Sequence, residues 1–283
     1  MSDQSWFTEK SDESGIGFSL KVSAKLHEEQ TPYQKLEIFE TTEFGRLMTL
    51  DGLIMLTDRD NFIYHEMMTH TALFTHPAPK RVAVIGGGDC GSLREVLKHP
   101  GVELCEQIEL DERVTRVSEQ FFPSLCESNN DPRAKFQFDD GIEWIRNSAP
   151  GTYDVIIIDS TDPIGPAAGL FSQSFYEDCF RALGDNGVVI GQSESPLLHK
   201  QLIRSMHDNL KAAGFDSLST FSFPQCSYPS GWWSSTMAAK NHVAGEFRSE
   251  EASKTQLDTL YYSADMHRAA AILPPFLIEA LTA

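Results

Sequence analysis

The sequence predicts an α/β fold: a parallel-rich sheet with helices on both faces, preceded by a small antiparallel β unit. Three observations predict it. From Arg81 onward, short apolar runs alternate with amphipathic stretches, as strands and crossover helices do in a parallel sheet. Residues 155–158 are apolar at every position, as a strand buried on both faces requires. Before residue 61 the texture is different, with period-two alternation broken by turn signals. The expected division is residues 1–60 for the β unit and 61–283 for the α/β unit.

Each element follows from its local pattern. Residues 17–25 and 33–39 alternate, and Phe44-Gly45 and Asp51-Gly52 mark turns, so a meander is expected. Asp60 stands where it can cap a helix over 61–74, which His76, Pro77 and Pro79 end. The apolar runs 81–85, 104–110, 135–138, 153–159 and 187–192 read as strands. Helical patterns lie at 93–98, 113–121, 142–146, 174–183 and 197–213. Residues 252–283 look helical, interrupted by Pro274-Pro275.

Composition narrows the function. The chain has 283 residues, 23 Lys+Arg and 41 Asp+Glu, for a formal charge of −18. Binding a phosphate backbone or an anionic membrane needs a basic patch, so neither nucleic acid nor membrane is an expected partner. A cationic ligand would be drawn in by the same field. Five cysteines without a CxxC pair argue against a disulfide framework or a zinc site. The start lacks a basic stretch followed by an apolar one, and no apolar run reaches about 20 residues, so a reducing cytoplasm is the expected setting.

The chemistry is expected where strands end, since ligands of such sheets bind at the carboxyl ends. The first strand of the α/β unit runs into Gly86-Gly87-Gly88-Asp89-Cys90-Gly91. Gly86, Gly88 and Gly91 fit G-x-G-x-x-G, and Glu109 and Asp111 follow at the distance of a ribose-gripping acid. That pattern serves dinucleotides and sulfonium nucleosides alike. Asp89 favours the second, because a carboxylate in the loop would repel a pyrophosphate and attract a cation. Asp159 and Asp162 stand at the end of another strand, before a loop rich in Pro and Gly that could form a lid. Asp140-Gly141 could read an adenine edge or simply cap a helix. Tyr228 begins Tyr-Pro-Ser-Gly, which is either a cleft residue or a surface turn. His65, Glu66 and His70 suggest a zinc helix, but the two histidines are five apart rather than four, so no metal is expected.

These pieces together resemble the spermidine synthases, the polyamine aminopropyltransferase family. The resemblance rests on Trp6 to Glu9, Tyr33 to Glu40, Asp58 to Asp60, Tyr64 to Met67, Gly86 to Asp89, Leu93 to Glu95, Glu109 to Asp111, Asp140-Gly141, Asp159 to Pro166, Tyr228 to Gly231 and Tyr261-Tyr262. It covers nearly the whole chain. It implies a Rossmann-like, methyltransferase-type domain behind the β unit, and a homodimer. It implies transfer of the aminopropyl group of decarboxylated S-adenosylmethionine to putrescine, giving spermidine and 5′-methylthioadenosine, with a co-substrate and no cofactor. Carried over by motif, Gln34, Gly86, Gly88, Glu109, Asp140, Gly141 and Pro166 would hold the nucleoside. Tyr64, His65, Asp89, Asp162, Gln192 and Tyr228 would line the amine path, and Asp159 would accept the proton. Glu9, His65 or a carboxylate near the lid are the candidates for the far ammonium of the diamine. Three positions depart from the family: Cys90 for a common glycine, Met55 for a common glutamine, and Trp232-Trp233 for smaller residues. They bear on which amine is accepted. A methyltransferase on the same fold is the rival reading, and Asp89 opposes it by repelling the carboxylate of the ordinary donor. A polyamine-binding protein that has lost catalysis is a third reading, and it would predict loss of Asp159, Asp162 or the glycine loop.

Overall fold

The structure is a computed structural model. It describes residues 6–12, 14–163 and 165–282, the Pro166 side chain excepted. The N-terminal strands are β1 (Trp6–Ser11), β2 (Ile16–Gln30), β3 (Lys35–Thr41), β4 (Arg46–Leu50) and β5 (Leu53–Thr57). Each pairs antiparallel with the next, in the order β1-β2-β3-β4-β5, which is the expected meander.

Helix α1 (Asn61–Thr75) follows at the expected place, buried almost all round. The α/β part then runs β6 (Arg81–Gly86), α2 (Gly91–Leu97), β7 (Leu104–Ile108), α3 (Glu112–Phe121), β8 (Ala134–Gln137), α4 (Gly141–Asn147) and β9 (Tyr153–Asp159). After a 3-10 segment at Gly165–Phe171 come α5 (Gln173–Ala182), β10 (Leu183–Gln192), α6 (Lys200–Ala212), β11 (Ser217–Pro224) and β12 (Trp232–Ala239). The tail forms α7 (Ser249–Lys254), α8 (Ala264–Ala270) and α9 (Pro275–Thr282).

The second sheet has seven strands in the order β11-β12-β10-β9-β6-β7-β8. The pairs from β10 to β8 are parallel, and β12 is antiparallel to both neighbours. The sequence reading did not single out β12, whose WWSSTMAA lacks a clean alternation. Period two splits the central strands between two cores. Val82, Val84, Val155 and Ile157 pack with α1 and α2 residues such as Met67 and Leu93, while Ala83, Ile85, Ile156 and Ile158 pack with Phe175 and Cys179 of α5. A third apolar cluster joins the two sheets: Leu36, Ile38, Met48 and Leu56 meet Val114, Val117 and Phe122.

One local expectation is corrected. Asp60 occupies the N-cap position of α1, but its carboxylate caps nothing. It accepts from Thr57 Oγ1 at 2.6 Å, Ser227 N at 2.8 Å and Ser227 Oγ at 3.1 Å. Three donors in a buried position outcompete one frayed amide. The effect is to tie the start of α1 to the loop before Tyr228. Side-chain caps are made by Asp111 on α3, Asp140 on α4, Ser172 on α5 and Ser263 on α8.

Candidate active site

The parallel order puts β6 beside β9, and the chain leaves them in opposite directions, towards β7 and towards β10. Such a reversal opens a crevice at the carboxyl ends of the two strands. A cavity of about 300 Å³ lies there, walled by Gln34, Gly86 to Asp89, Glu109, Asp140, Gly141, Asp159, Asp162 and Tyr228 among others.

The glycines let the loop lie against β9. Gly86 has φ +81°, and a Cβ there would stand 2.2 Å from the Asp159 carbonyl oxygen. The Gly87 amide donates to that carbonyl at 2.8 Å. At the next strand, Glu109 accepts from the Asp111 amide at 2.8 Å. Burial raises its pKa to about 7, helped by the nearby Asp111, Asp159 and Asp89 charges and opposed by that amide. Asp111 itself is occupied: it caps α3 and accepts from Thr31 Oγ1 at 2.7 Å and Gln34 Nε2 at 3.1 Å. It therefore aims Gln34, from the first sheet, at the cavity of the second. Asp140 caps α4 and also faces the cavity. Its carboxylate accepts from the Ile142 amide at 2.8 Å, and the residue lines the cavity next to Gly141. Pro166 lies in the 3-10 segment, and its side chain is outside the described residues, as is Ile164.

Asp89 and Asp159 both line the cavity, with proton affinities shifted in opposite directions. His65 Nε2 lies 3.2 Å from Asp89, whose Oδ1 also accepts from the Gly91 amide at 2.6 Å. Burial works against the Asp89 charge, but His65 and the Gly91 amide outweigh it and hold the carboxyl below its usual range. The ring of His65, likewise buried, is kept above its usual value by Asp89. His65 stands behind Asp89, packed on Gly91, where a Cβ would fall 2.2 Å from the ring. It is not part of the cavity wall. Among the described residues no such cation is in contact with Asp159. It accepts from Tyr64 Oη at 2.9 Å and Ser92 Oγ at 2.6 Å. Burial and the Asp89 charge raise its pKa above the ordinary carboxyl value, against His65 and the two hydroxyls.

Beyond Asp159 lies a recess of about 40 Å³, lined by Glu9, Met55, Tyr64, Asp162, Gln192, Tyr228 and Trp233. Tyr64, Asp162 and Tyr228 border both spaces. Burial raises Asp162 to about 7, with Glu194 and Glu9 adding and His199 opposing. Glu9 is raised by burial although it accepts from the Ile54 amide at 2.7 Å. Gln192 is fixed at both ends, accepting from the Glu194 amide at 3.0 Å and donating to the Thr161 carbonyl at 3.4 Å. Tyr228 donates to the Met55 carbonyl at 2.5 Å, and its ring meets Trp233 edge-on with centroids 4.6 Å apart.

The motif at His65-Glu66 resolves into structure. Glu66 accepts the amides of Leu260, Tyr261 and Tyr262 at 2.7–2.8 Å, pinning the tail to α1. His70 lies between His99 and Glu95 at 2.9 and 3.1 Å. Among the described residues no cluster of His, Cys, Asp or Glu could hold a metal ion.

A cleft lined by Asp89, Glu109 and Asp159, with Glu9 and Asp162 in its far recess, suits a ligand that carries positive charge at several points. Its raised carboxyl at Asp159 has the greater proton affinity that a general base requires. Ser92, Thr31 and Glu194 belong to this geometry and were not found from sequence. Ser92 had one available signal, its place one residue after the glycine motif.

Comparison with known proteins bears on the same site. Residues 61–247 match the model of the spermine/spermidine synthase domain, and residues 5–58 that of the spermidine synthase tetramerisation domain. The chain is 57% identical to the polyamine aminopropyltransferase of Thioalkalivibrio sulfidiphilus over 280 residues, 99% of this chain and 98% of the relative. It is 56% identical to that of Methylococcus capsulatus, over 98% and 97% of the two chains. The fold matches a spermidine synthase crystallised with the transition-state analogue AdoDATO, with TM-score 0.94 and 34% identity over 98% of this chain and 94% of the other. It matches the spermidine synthase of Thermotoga maritima with TM-score 0.92 and 34% identity over the same shares.

Proposed function

The chain belongs to the spermine/spermidine synthase family, and from that premise we propose that it transfers the aminopropyl group of decarboxylated S-adenosylmethionine to putrescine. The products are spermidine and 5′-methylthioadenosine. The observation that carries the proposal is the pair Asp89 and Asp159: a fixed anion and a raised carboxyl at the mouth of one cleft.

In this reading the glycine loop, Gln34, Glu109, Asp140, Gly141 and Pro166 hold the nucleoside. Asp89, charged and backed by His65, takes the ammonium of the aminopropyl group. Putrescine lies with its reacting nitrogen at Asp159 and its far ammonium in the recess, near Glu9, Asp162 and Gln192. An alkylammonium has a pKa near ~10.4 and cannot attack. Asp159 takes one of its protons, with a basicity raised by burial and by Asp89. The freed nitrogen lone pair forms the new C–N bond. The C–S bond breaks, and its electrons go to the sulfonium, which leaves as a neutral thioether. Positive charge thus moves from sulfur to nitrogen while Asp159 keeps the proton it has taken, and the remaining anion of the cleft, Asp89, favours that cationic centre. Tyr64 and Tyr228 wall the path. The sulfonium is its own leaving group, so the step as written needs a co-substrate and no further cofactor.

Assembly and setting follow the same premise. We expect a homo-oligomer whose unit is a dimer, measured by light scattering, and a cytoplasmic location, in keeping with five free thiols.

The test is incubation with decarboxylated S-adenosylmethionine and putrescine, cadaverine, agmatine or spermidine. Methylthioadenosine with putrescine as preferred acceptor is the expected result. No methylthioadenosine with any amine, or methyl transfer from S-adenosylmethionine, would overturn the assignment.

A further inference from the structure

The Asp159 carboxylate carries one donor on each oxygen: Tyr64 on Oδ1 at 2.9 Å and Ser92 on Oδ2 at 2.6 Å. We propose that Ser92 is a positioning residue for this carboxylate, its hydroxyl fixing the plane of Asp159 against the acceptor amine. The inference rests on Asp159 being the proton acceptor of the proposed reaction.

An aspartate's last torsion is soft, with a broad, roughly two-fold profile, so packing alone does not set the plane of the carboxylate. Two donors on opposite oxygens do set it, because rotation breaks both bonds. The Ser92 contact has the length of a charge-assisted O–H···O⁻ bond, the stronger class. Ser92 is fully buried, so water cannot take the hydroxyl's place. It sits in the first turn of α2, directly after Gly91. That turn also donates the Gly91 amide to Asp89 and supports the His65 ring. A single helical turn therefore sets the spacing between the anion and the base.

A hydroxyl suits both states of Asp159. It donates to the carboxylate, and after Oδ2 has taken the amine's proton it can turn and accept from the carboxylic acid. Ser92 gains and loses no proton itself. The other groups that act on Asp159 are Asp89 in the glycine loop, Tyr64 and His65 on α1, Tyr228 before β12 and Glu109 after β7. Burial and Asp89 raise its proton affinity, and His65, Ser92 and Tyr64 lower it. Removing the Ser92 hydroxyl should move proton uptake to higher pH.

The test compares S92A, S92T and S92V with wild type. It reads the pH dependence of kcat and, without turnover, the carboxyl 13C titration of Asp159 in the free protein. S92A is expected to move the acidic limb and the titration up by about one pH unit, to lower kcat at neutral pH about tenfold, and to leave the donor KM within about twofold. S92T should keep both titrations near wild type, and S92V, of similar volume without the hydroxyl, should behave as S92A. Should S92A not fold, the S92T and S92V pair decides. Coincident titrations in wild type, S92A and S92V would overturn the role of Ser92, as would a fall in kcat with no shift in either titration. A wild type without aminopropyl transfer defeats the proposed reaction instead, and the 13C titration then still reports whether Ser92 acts on Asp159.

Discussion

Asp89, just beyond β6 and partly exposed, and Asp159, buried at the end of β9, line one cleft, yet they hold protons differently. Asp89 has His65 and a backbone amide and stays below the usual carboxyl range. Asp159 has two neutral hydroxyls and the Asp89 charge nearby, and is raised. Two like charges this close separate their affinities, and each then suits a different task. The ionised one can hold a cation, and the raised one can take a proton. The difference lies in their partners, since burial is the largest influence on both and pushes both upward.

The comparison breaks most visibly at Asp159. Asp159→Asn keeps the shape and the hydrogen-bonding side chain but has no basic oxygen. It should lower kcat by about 10²–10⁴ while leaving methylthioadenosine binding within a few-fold, as rate assays and calorimetry would show. An equal loss of binding and rate would show Asp159 to be structural. Asp89→Asn should weaken the decarboxylated donor about 10–100-fold, because a buried cation would lose its anion. It should affect ordinary S-adenosylmethionine less. The same change removes the main opposition to burial at His65 and leaves only the Asp159 charge to raise it, so its ring, followed by NMR, should titrate lower than in the wild type.

Asp162 tests whether raised acids in the recess also serve binding. With a pKa of about 7 it is neutral in acid and charged in mild base. Acceptor KM should therefore improve as pH rises through about 7, and Asp162→Asn should flatten that dependence, costing about tenfold at pH 8. Linkage gives the matching stability effect. A carboxyl of 3.8 in the unfolded chain and about 7 in the fold binds extra protons in the native state between those values. Its contribution to stability therefore falls as pH rises across that window, and Asp162→Asn should remove part of the slope in thermal melts of the free protein. The smallest effect is expected at Tyr64→Phe, which leaves Ser92 on the carboxylate. It should lower kcat several-fold and shift the acidic limb upward, since Tyr64 lowers the pKa of Asp159.

Strand-end chemistry was legible because the signals are local. An apolar run that stops at Gly86 or Asp159 announces a strand end, and the fold class says that strand ends meet a ligand. Partners distant in sequence were not legible. Asp60 had the local marks of an N-cap, and its carboxylate found Ser227, 167 positions away. Thr31 meets Asp111 across 80 positions, and Ser92 meets Asp159 across 67. A serine or threonine carries no periodic signature, so nothing in the pattern marks it as a partner. Glu66 looked like chemistry and serves as an anchor for the tail, because three amides converge on it.

The sequence by itself determined the two-sheet plan, the glycine loop, the acids that face the cleft and the family. Short-range hydrophobic periodicity and turn residues encode elements, and motif spacing places side chains at their ends. Only the tertiary structure decided that Asp89 holds its proton less tightly than an ordinary carboxyl and Asp159 more tightly. That depends on burial and on groups brought within about 3 Å by the packing of α1, α2 and β9, and no local pattern records those distances.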